Sequence, residues 1–209
     1  MVMETIDQII NKMSGSYSPQ QIFSDWIEAG ALAIVNSTSL FKDNIWKERE
    51  RRYCDIMKRY EKESQRFVDM FGILTVMLEE EIKDHLGEVY MKLGGSKQTG
   101  QFFTPWHLNK LTAAISKYTE GEIIMNEPSC GSGGMIIAMA EKLHSEGKNY
   151  QQLMKVTAED LDLRCCHMCY VQLSLLGINA TVIHHDTLRA EMPGRINIFQ
   201  TPKRKGVLM

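Results

Sequence analysis

The chain has 209 residues, 44% hydrophobic and 24% charged, with a formal net charge of −2. That length allows one domain, or one domain with a helical appendage, and the apolar content is enough for a sizeable core and does not indicate disorder. The near-neutral balance excludes a global basic field for nucleic acid, so any such contact must be local.

The five cysteines, Cys54, Cys130, Cys165, Cys166 and Cys169, are odd in number and irregular in spacing, which does not fit a disulfide framework. The start carries Glu4 and Asp7 rather than a long apolar stretch, and no apolar run approaches the ~18 residues of a membrane span. A reduced, cytoplasmic protein without membrane contact is expected.

Residues 1–95 read as a helical N-terminal domain. Met3 to Met13 is amphipathic. Ser18 is a candidate N-cap with Pro19 at the first helical position, and Ile22, Phe23, Trp26, Ile27, Ala31, Ile34 and Val35 follow at helical spacing. Asn44 to Ser64 reads as one long charged helix. In it Lys47, Arg49, Arg51, Arg52, Lys58 and Arg59 alternate with Glu48, Glu50, Asp55 and Glu61. The mixed signs favour a solvated face with internal ion pairs over a phosphate-binding stripe. Phe67 to Ile82 carries a core stripe of Phe67, Met70, Phe71, Leu74, Met77 and Leu78. His85 to Leu93 is a further short helix. The glycine-rich Gly94 to Gly100 reads as a linker, which makes 96–209 a second domain.

After the linker, Thr104 is a candidate cap and Pro105 a candidate first residue for a helix over Trp106 to Tyr118. A strand, Glu122 to Asn126, then runs into Glu127-Pro128-Ser129-Cys130-Gly131-Ser132-Gly133-Gly134-Met135, and a helix follows to about Ser145. A second strand spans Val156 to Asp160. A helix from Asp162 to Leu176 is stopped by Gly177, and a third strand spans Ala180 to His185. Ile196 to Phe199 is a candidate fourth strand. This alternation predicts an α/β fold, a parallel sheet with crossover helices.

The glycine turn between strand and helix suits a nucleotide-like ligand. Gly131 and Gly133 permit positive φ and close approach, and the helix start offers free N–H groups. A glycine turn alone also serves plain geometry. Its context is three acids at successive strand ends, Glu127, Asp160 and Asp186. Asp160 is placed for a ribose diol and Asp186 for an adenine amino group. A carboxylate directly before the glycines would repel a pyrophosphate but tolerates a cationic sulfonium with an amino-acid tail. S-adenosylmethionine therefore fits better than a dinucleotide.

Other features read more plainly. Cys165, Cys166, His167, Met168 and Cys169 fall within one helix with no second ligand pair at zinc spacing, so buried apolar fillers are favoured over a metal site. His184-His185 reads as a strand-terminal surface pair, and Lys203-Arg204-Lys205 as a solvated tail.

Gly100 to Pro105 (GQFFTP), Glu127 to Met135 (EPSCGSGGM), Ala158 to Asp162 (AEDLD) and His185 to Leu188 (HDTL) resemble, in order and spacing, the adenine-specific DNA methyltransferases of the type I restriction-modification M-subunit class. The resemblance covers about residues 86–190. It implies a Rossmann-like S-adenosylmethionine-dependent methyltransferase core with an incomplete, mostly parallel sheet, preceded by a helical domain. It also implies methyl transfer to the adenine amino group of DNA. By the same resemblance Phe103 and Thr104 contact the methionine end, and Glu127, Pro128, Gly131 and Gly133 cradle it. Asp160 binds the ribose and Asp186 the adenine.

One departure is clear. The family's catalytic loop, (N/D)-P-P-(Y/F), needs adjacent prolines, and Pro19, Pro105, Pro128, Pro193 and Pro202 are all separated. Gln200, followed by Thr201-Pro202-Lys203, stands where the loop is expected and is a weak candidate for its amide. An alternative function follows: a cofactor-binding or interaction module without catalysis, or a fragment that needs a partner. A DNA-binding accessory protein is a third reading. The open sheet edge is expected to pair with another copy, a partner subunit or the N-terminal part.

Overall fold

The computed structural model describes residues 4–94, 103–118, 120–189 and 193–202. Expectations on Gly95 to Phe102, including the first half of GQFFTP, and on Lys203-Arg204-Lys205 lie outside the described residues.

Helices come first: α1 (Ile6–Met13), α2 (Pro19–Ser37), α3 (Asn44–Arg59), α4 (Ser64–Glu80) and α5 (His85–Lys92). Ser18 caps α2 by accepting from the Gln21 N–H at 3.2 Å, with Pro19 at its first position. The most buried of these helices is α2, with Ile22, Phe23, Trp26, Ile27 and Ala31 fully enclosed.

The charged stretch departs from one continuous helix. It ends at Arg59, turns at Tyr60 and passes through a short 3-10 segment, Glu61–Glu63, into α4. The cause is tertiary. Asp25 on α2 is buried and accepts from Arg59 Nη1 at 2.6 Å, Tyr60 Oη at 2.8 Å and Gln21 Nε2 at 2.9 Å. The ion pairs of α3 also run to α2 rather than within the helix, as Arg52 Nε and Nη2 meet Glu28 at 2.6 and 2.7 Å. Arg49, expected on a solvated face, is buried.

The α/β part comprises α6 (Trp106–Ile115), β1 (Ile123–Glu127), α7 (Gly134–Ser145), the single turn α8 (Tyr150–Leu153), β2 (Met154–Asp160), α9 (Leu163–Leu176), β3 (Asn179–His184) and β4 (Ile198–Gln200). Pro105, not Thr104, takes the cap position of α6, and the Thr104 carbonyl instead accepts from Asn109 Nδ2 at 3.2 Å. That helix ends three residues before Tyr118. Lys142 Nζ donates to the carbonyls of Ala113 and Ser116 at 3.0 and 2.8 Å there, satisfying groups that a helix end leaves free. Gly177, at φ 70°, stops α9 as its position predicts.

The sheet has strand order β1-β2-β3-β4. Strands β1, β2 and β3 are parallel, with Ile124 opposite Lys155 and Lys155 opposite Asn179. The expected mixed α/β fold with an open, mostly parallel sheet is therefore met. Strand β4 lies antiparallel on β3, with Val182 opposite Phe199. Ile123, Met154, Val156, Ala158, Ala180 and Val182 are buried in the core with the apolar side chains of α7 and α9. Ile124, Lys155 and Asn179, on the opposite face, are exposed. α9 packs in turn against α2, and one hydrophobic cluster runs from Ile6 to Phe199.

Candidate methyl-donor site

Parallel strands place their carboxyl ends along one edge, and the glycine turn leaves β1 there. The Gly131 and Gly133 backbones stand at φ 52° and 95°, conformations that L side chains rarely adopt. Around the turn, the Cys130 N–H donates to the Glu159 carbonyl at 2.8 Å and the Gly133 N–H to the Cys130 carbonyl at 2.8 Å.

The two glycines serve different neighbours. A Cβ on Gly131 would stand 3.2 Å from the Phe103 ring, whereas one on Gly133 would stand 3.2 Å from Cys169 Sγ and 3.6 Å from its Cα. Gly131 borders the cleft, and Gly133 lets the turn sit down on α9. Cys165, Cys166 and Cys169 are all buried in that helix, and burial raises the thiol pKa of Cys165 and Cys166.

A cleft of about 170 Å³ lies above the turn, lined by Phe103, Thr104, Asn109, Glu127, Gly131, Ser132 and, from the other half of the chain, Asp84. Larger hollows, of about 590 Å³ beside Glu79 and His144 and about 520 Å³ beside Asp43 and Arg49, do not border the glycines. Phe103 is set by a ring contact with Tyr90 at 5.4 Å between centroids.

Asp160 sits directly under the turn. Its Oδ2 accepts from the Gly131 N–H at 2.8 Å and its Oδ1 from the Asp162 N–H at 2.9 Å. Pro128 is tied to the end of β3, as Thr187 Oγ1 donates to its carbonyl at 2.8 Å. Asp186, one residue earlier, accepts from the Leu188 N–H at 3.2 Å and pairs with Arg189 Nε at 3.1 Å. The Arg189 side chain is mostly exposed, so this pair holds its carboxylate weakly.

Glu127 is half-buried and accepts from the Ser129 N–H at 3.3 Å. Burial raises its carboxyl pKa above the usual range, and no salt bridge among the described residues engages it. A half-desolvated carboxylate without a cation, beside a glycine whose Cβ would crowd the cleft, fits a ligand with a positive end.

The structure thus gathers Phe103, Thr104, Glu127 and Gly131 around one cleft, with Asp160 immediately below and the turn carrying Asp186 tied to Pro128. Gln200 is not brought there. It lies in β4 opposite Thr181 on the far side of the sheet and lines the hollow beside Asp43 and Arg49. Reading the sequence missed Asp84, Asn109, Ser132 and Gln172. Asp84 precedes a helix and caps it through the Gly87 N–H at 2.9 Å, a signal legible in principle, but its link to Ser132 spans 48 positions.

A family model described as N-6 DNA Methylase matches residues 82–201. The methylase subunit of the type I restriction enzyme MjaIX of Methanocaldococcus jannaschii is 27% identical over 121 residues, which are 55% of this chain and 21% of that protein. The chain thus spans about a fifth of the length of that curated relative. Among solved structures, the methyltransferase subunit of a type I restriction-modification system from Streptococcus thermophilus superposes with a TM-score of 0.41 at 16% identity, covering 88% of this chain and 43% of that one. A Listeria monocytogenes protein described as a class I S-adenosylmethionine-dependent methyltransferase gives 0.37 at 13% identity, covering 80% and 55%.

Proposed function

The chain belongs to the N-6 DNA methylase family, and we propose that it holds the methyl donor for transfer to an adenine amino group in DNA. The observation that carries this reading is the cleft at the end of β1, where a half-buried Glu127 with no salt bridge among the described residues faces space kept open by Gly131 and walled by Phe103 and Thr104.

Bound there, S-adenosylmethionine supplies a methyl group on a cationic sulfonium. Glu127 offers its carboxylate to the positive end. Phe103, Thr104 and the backbone around Pro128 and Gly131 wall the methionine portion. Asp160 already orders the Gly131 N–H and keeps lone pairs for a ribose diol, because each oxygen accepts one bond. Asp186 stands at the next strand end for the adenine amino group. Gly133 sets the geometry of the turn from below.

Presenting the target base requires groups that stack on a flipped adenine and hold its amino nitrogen. None of the five prolines has a proline neighbour, so these 209 residues carry no (N/D)-P-P-(Y/F) loop, and Gln200 lies away from the cleft. In this reading the groups that present the acceptor are assigned to a partner. DNA and that partner complete the activity.

Calorimetric titration with S-adenosylmethionine tests the reading. Binding by the wild type is expected, with Asp160→Ala weaker by tenfold or more, since it loses both the ribose acceptor and the hold on Gly131. A wild type that binds no donor overturns the proposal.

A further inference from the structure

The buried polar cluster behind the cleft is not accounted for by any strand-end acid. Asp84, from the loop before α5, is 6% exposed, Ser132 in the glycine turn is 2% exposed, and Gln172 in the middle of α9 is fully buried. The Asp84 carboxylate takes Ser132 Oγ on Oδ2 at 2.5 Å, and on Oδ1 it takes the Gly87 N–H and Gln172 Nε2, each at 2.9 Å. Gln172 uses its whole amide: Oε1 accepts from the Leu86 N–H at 3.0 Å, and Nε2 also donates to the Ser132 carbonyl at 2.9 Å. Three segments distant in sequence are thus joined with each amide and carboxylate atom of the cluster partnered. Such a network is rigid when complete and costly when broken.

The fit is close enough to dictate glycine on two sides. A Cβ at Gly87 would stand 2.3 Å from Asp84 Oδ2 and 2.6 Å from Ser132 Oγ, and one at Gly134 would stand 2.5 Å from Asn109 Nδ2 and 3.2 Å from Asp84 Oδ2. Asp84 and Ser132 both also line the cleft.

We propose that Asp84 is a positioning residue of the methyl-donor site: through Ser132 and Gln172 the helical half of the chain fixes the glycine turn in its ligand-ready shape. This rests on the donor-binding reading above. Asp84 acts by hydrogen bonding, not by charge. An asparagine there keeps an acceptor for Gly87 and Gln172 and offers its amide to Ser132 Oγ.

The test is titration of the full chain with S-adenosylmethionine, paired with thermal unfolding by circular dichroism. Asp84→Ala is expected to weaken binding at least thirtyfold and Ser132→Ala about tenfold, the latter with little change in melting temperature. Asp84→Asn restores affinity to within about threefold of wild type. That rescue and the split between affinity and stability are what mere structural support would not produce. If Asp84→Ala does not fold, Ser132→Ala decides. Wild-type affinity in Ser132→Ala, or an Asp84→Asn variant as weak as Asp84→Ala, overturns the proposal while leaving the donor site intact. A wild type that binds no donor overturns both.

Discussion

The two edges of the sheet are finished differently. On the β3 side, β4 lies antiparallel along the strand and is held from three directions. Thr201 Oγ1 accepts from the Ala180 N–H at 2.8 Å, Tyr170 Oη donates to the Gln200 carbonyl at 3.1 Å, and Arg49 Nη2 reaches from α3 to the carbonyls of Ile196 and Ile198 at 3.0 and 2.9 Å. The Arg49 guanidinium also lies 5.2 Å from the Phe199 ring centroid. On the β1 side, no described strand pairs with the outer edge. Ile124 is 81% exposed there, and a hollow of about 500 Å³ runs along Ile123 to Asn126. Unpaired strand edges invite pairing, and the described residues pair only the edge remote from the cleft. The edge left without a described partner is the one whose strand leads into the glycine turn.

The comparison breaks most readily at Arg49. Arg49→Ala leaves several carbonyls without their charged donor and should cost about 2–4 kcal/mol in urea unfolding. A loss below about 1 kcal/mol would mean that β4 is not held from α3.

His167, whose ring meets Phe199 edge-on at 5.3 Å, gives the same edge a pH signature. Burial lowers its imidazole pKa to about 4 from an ordinary value of 6.5. The folded form stays neutral while the unfolded form takes up a proton. Stability is therefore full above pH 6.5 and falls as pH drops toward 4, by at most about 1.4 kcal/mol per pH unit. A His167→Gln variant should remove that slope from denaturation curves taken between pH 7 and 5.

At the cleft edge, Glu127 titrates above the usual carboxylate range because it is half-desolvated. Its ionised form attracts a cationic ligand. Donor affinity should fall severalfold as pH drops through that raised value, and Glu127→Gln should flatten the profile in calorimetry. An unchanged profile would remove Glu127 from the positive end. The smallest effect belongs to Ile124→Lys, which should change stability by less than about 0.5 kcal/mol, as for other exposed positions. A larger loss in thermal unfolding would show the β1 edge to be covered in solution.

How much of this could be read beforehand depended on sequence distance. The glycine turn, the Ser18 cap, the stop at Gly177 and the acids at strand ends are local signals, and the structure shows the elements they predict. The break at Tyr60 was not legible, because the buried Asp25 that captures Arg59 and Tyr60 lies more than thirty positions away. Arg49 looked like any cation on a mixed-charge helix until its partners proved to be carbonyls some 150 positions on. The reversed direction of β4 was equally hidden, since a short apolar run states no strand partner. The Asp84 cluster combines both cases: its cap on Gly87 is local, and its bonds to Ser132 and Gln172 are not.

The one-sided pairing of β1 among the described strands also orders the sheet in time. β2 is bonded along both flanks and its amides can exchange with solvent only when the sheet opens. Outward amides of β1 need no such opening, so hydrogen exchange should run as a gradient that is fastest at the strand feeding the glycine turn. The strand that carries the glycine turn is then the one least committed to its present neighbours, while the helical half anchors the opposite edge.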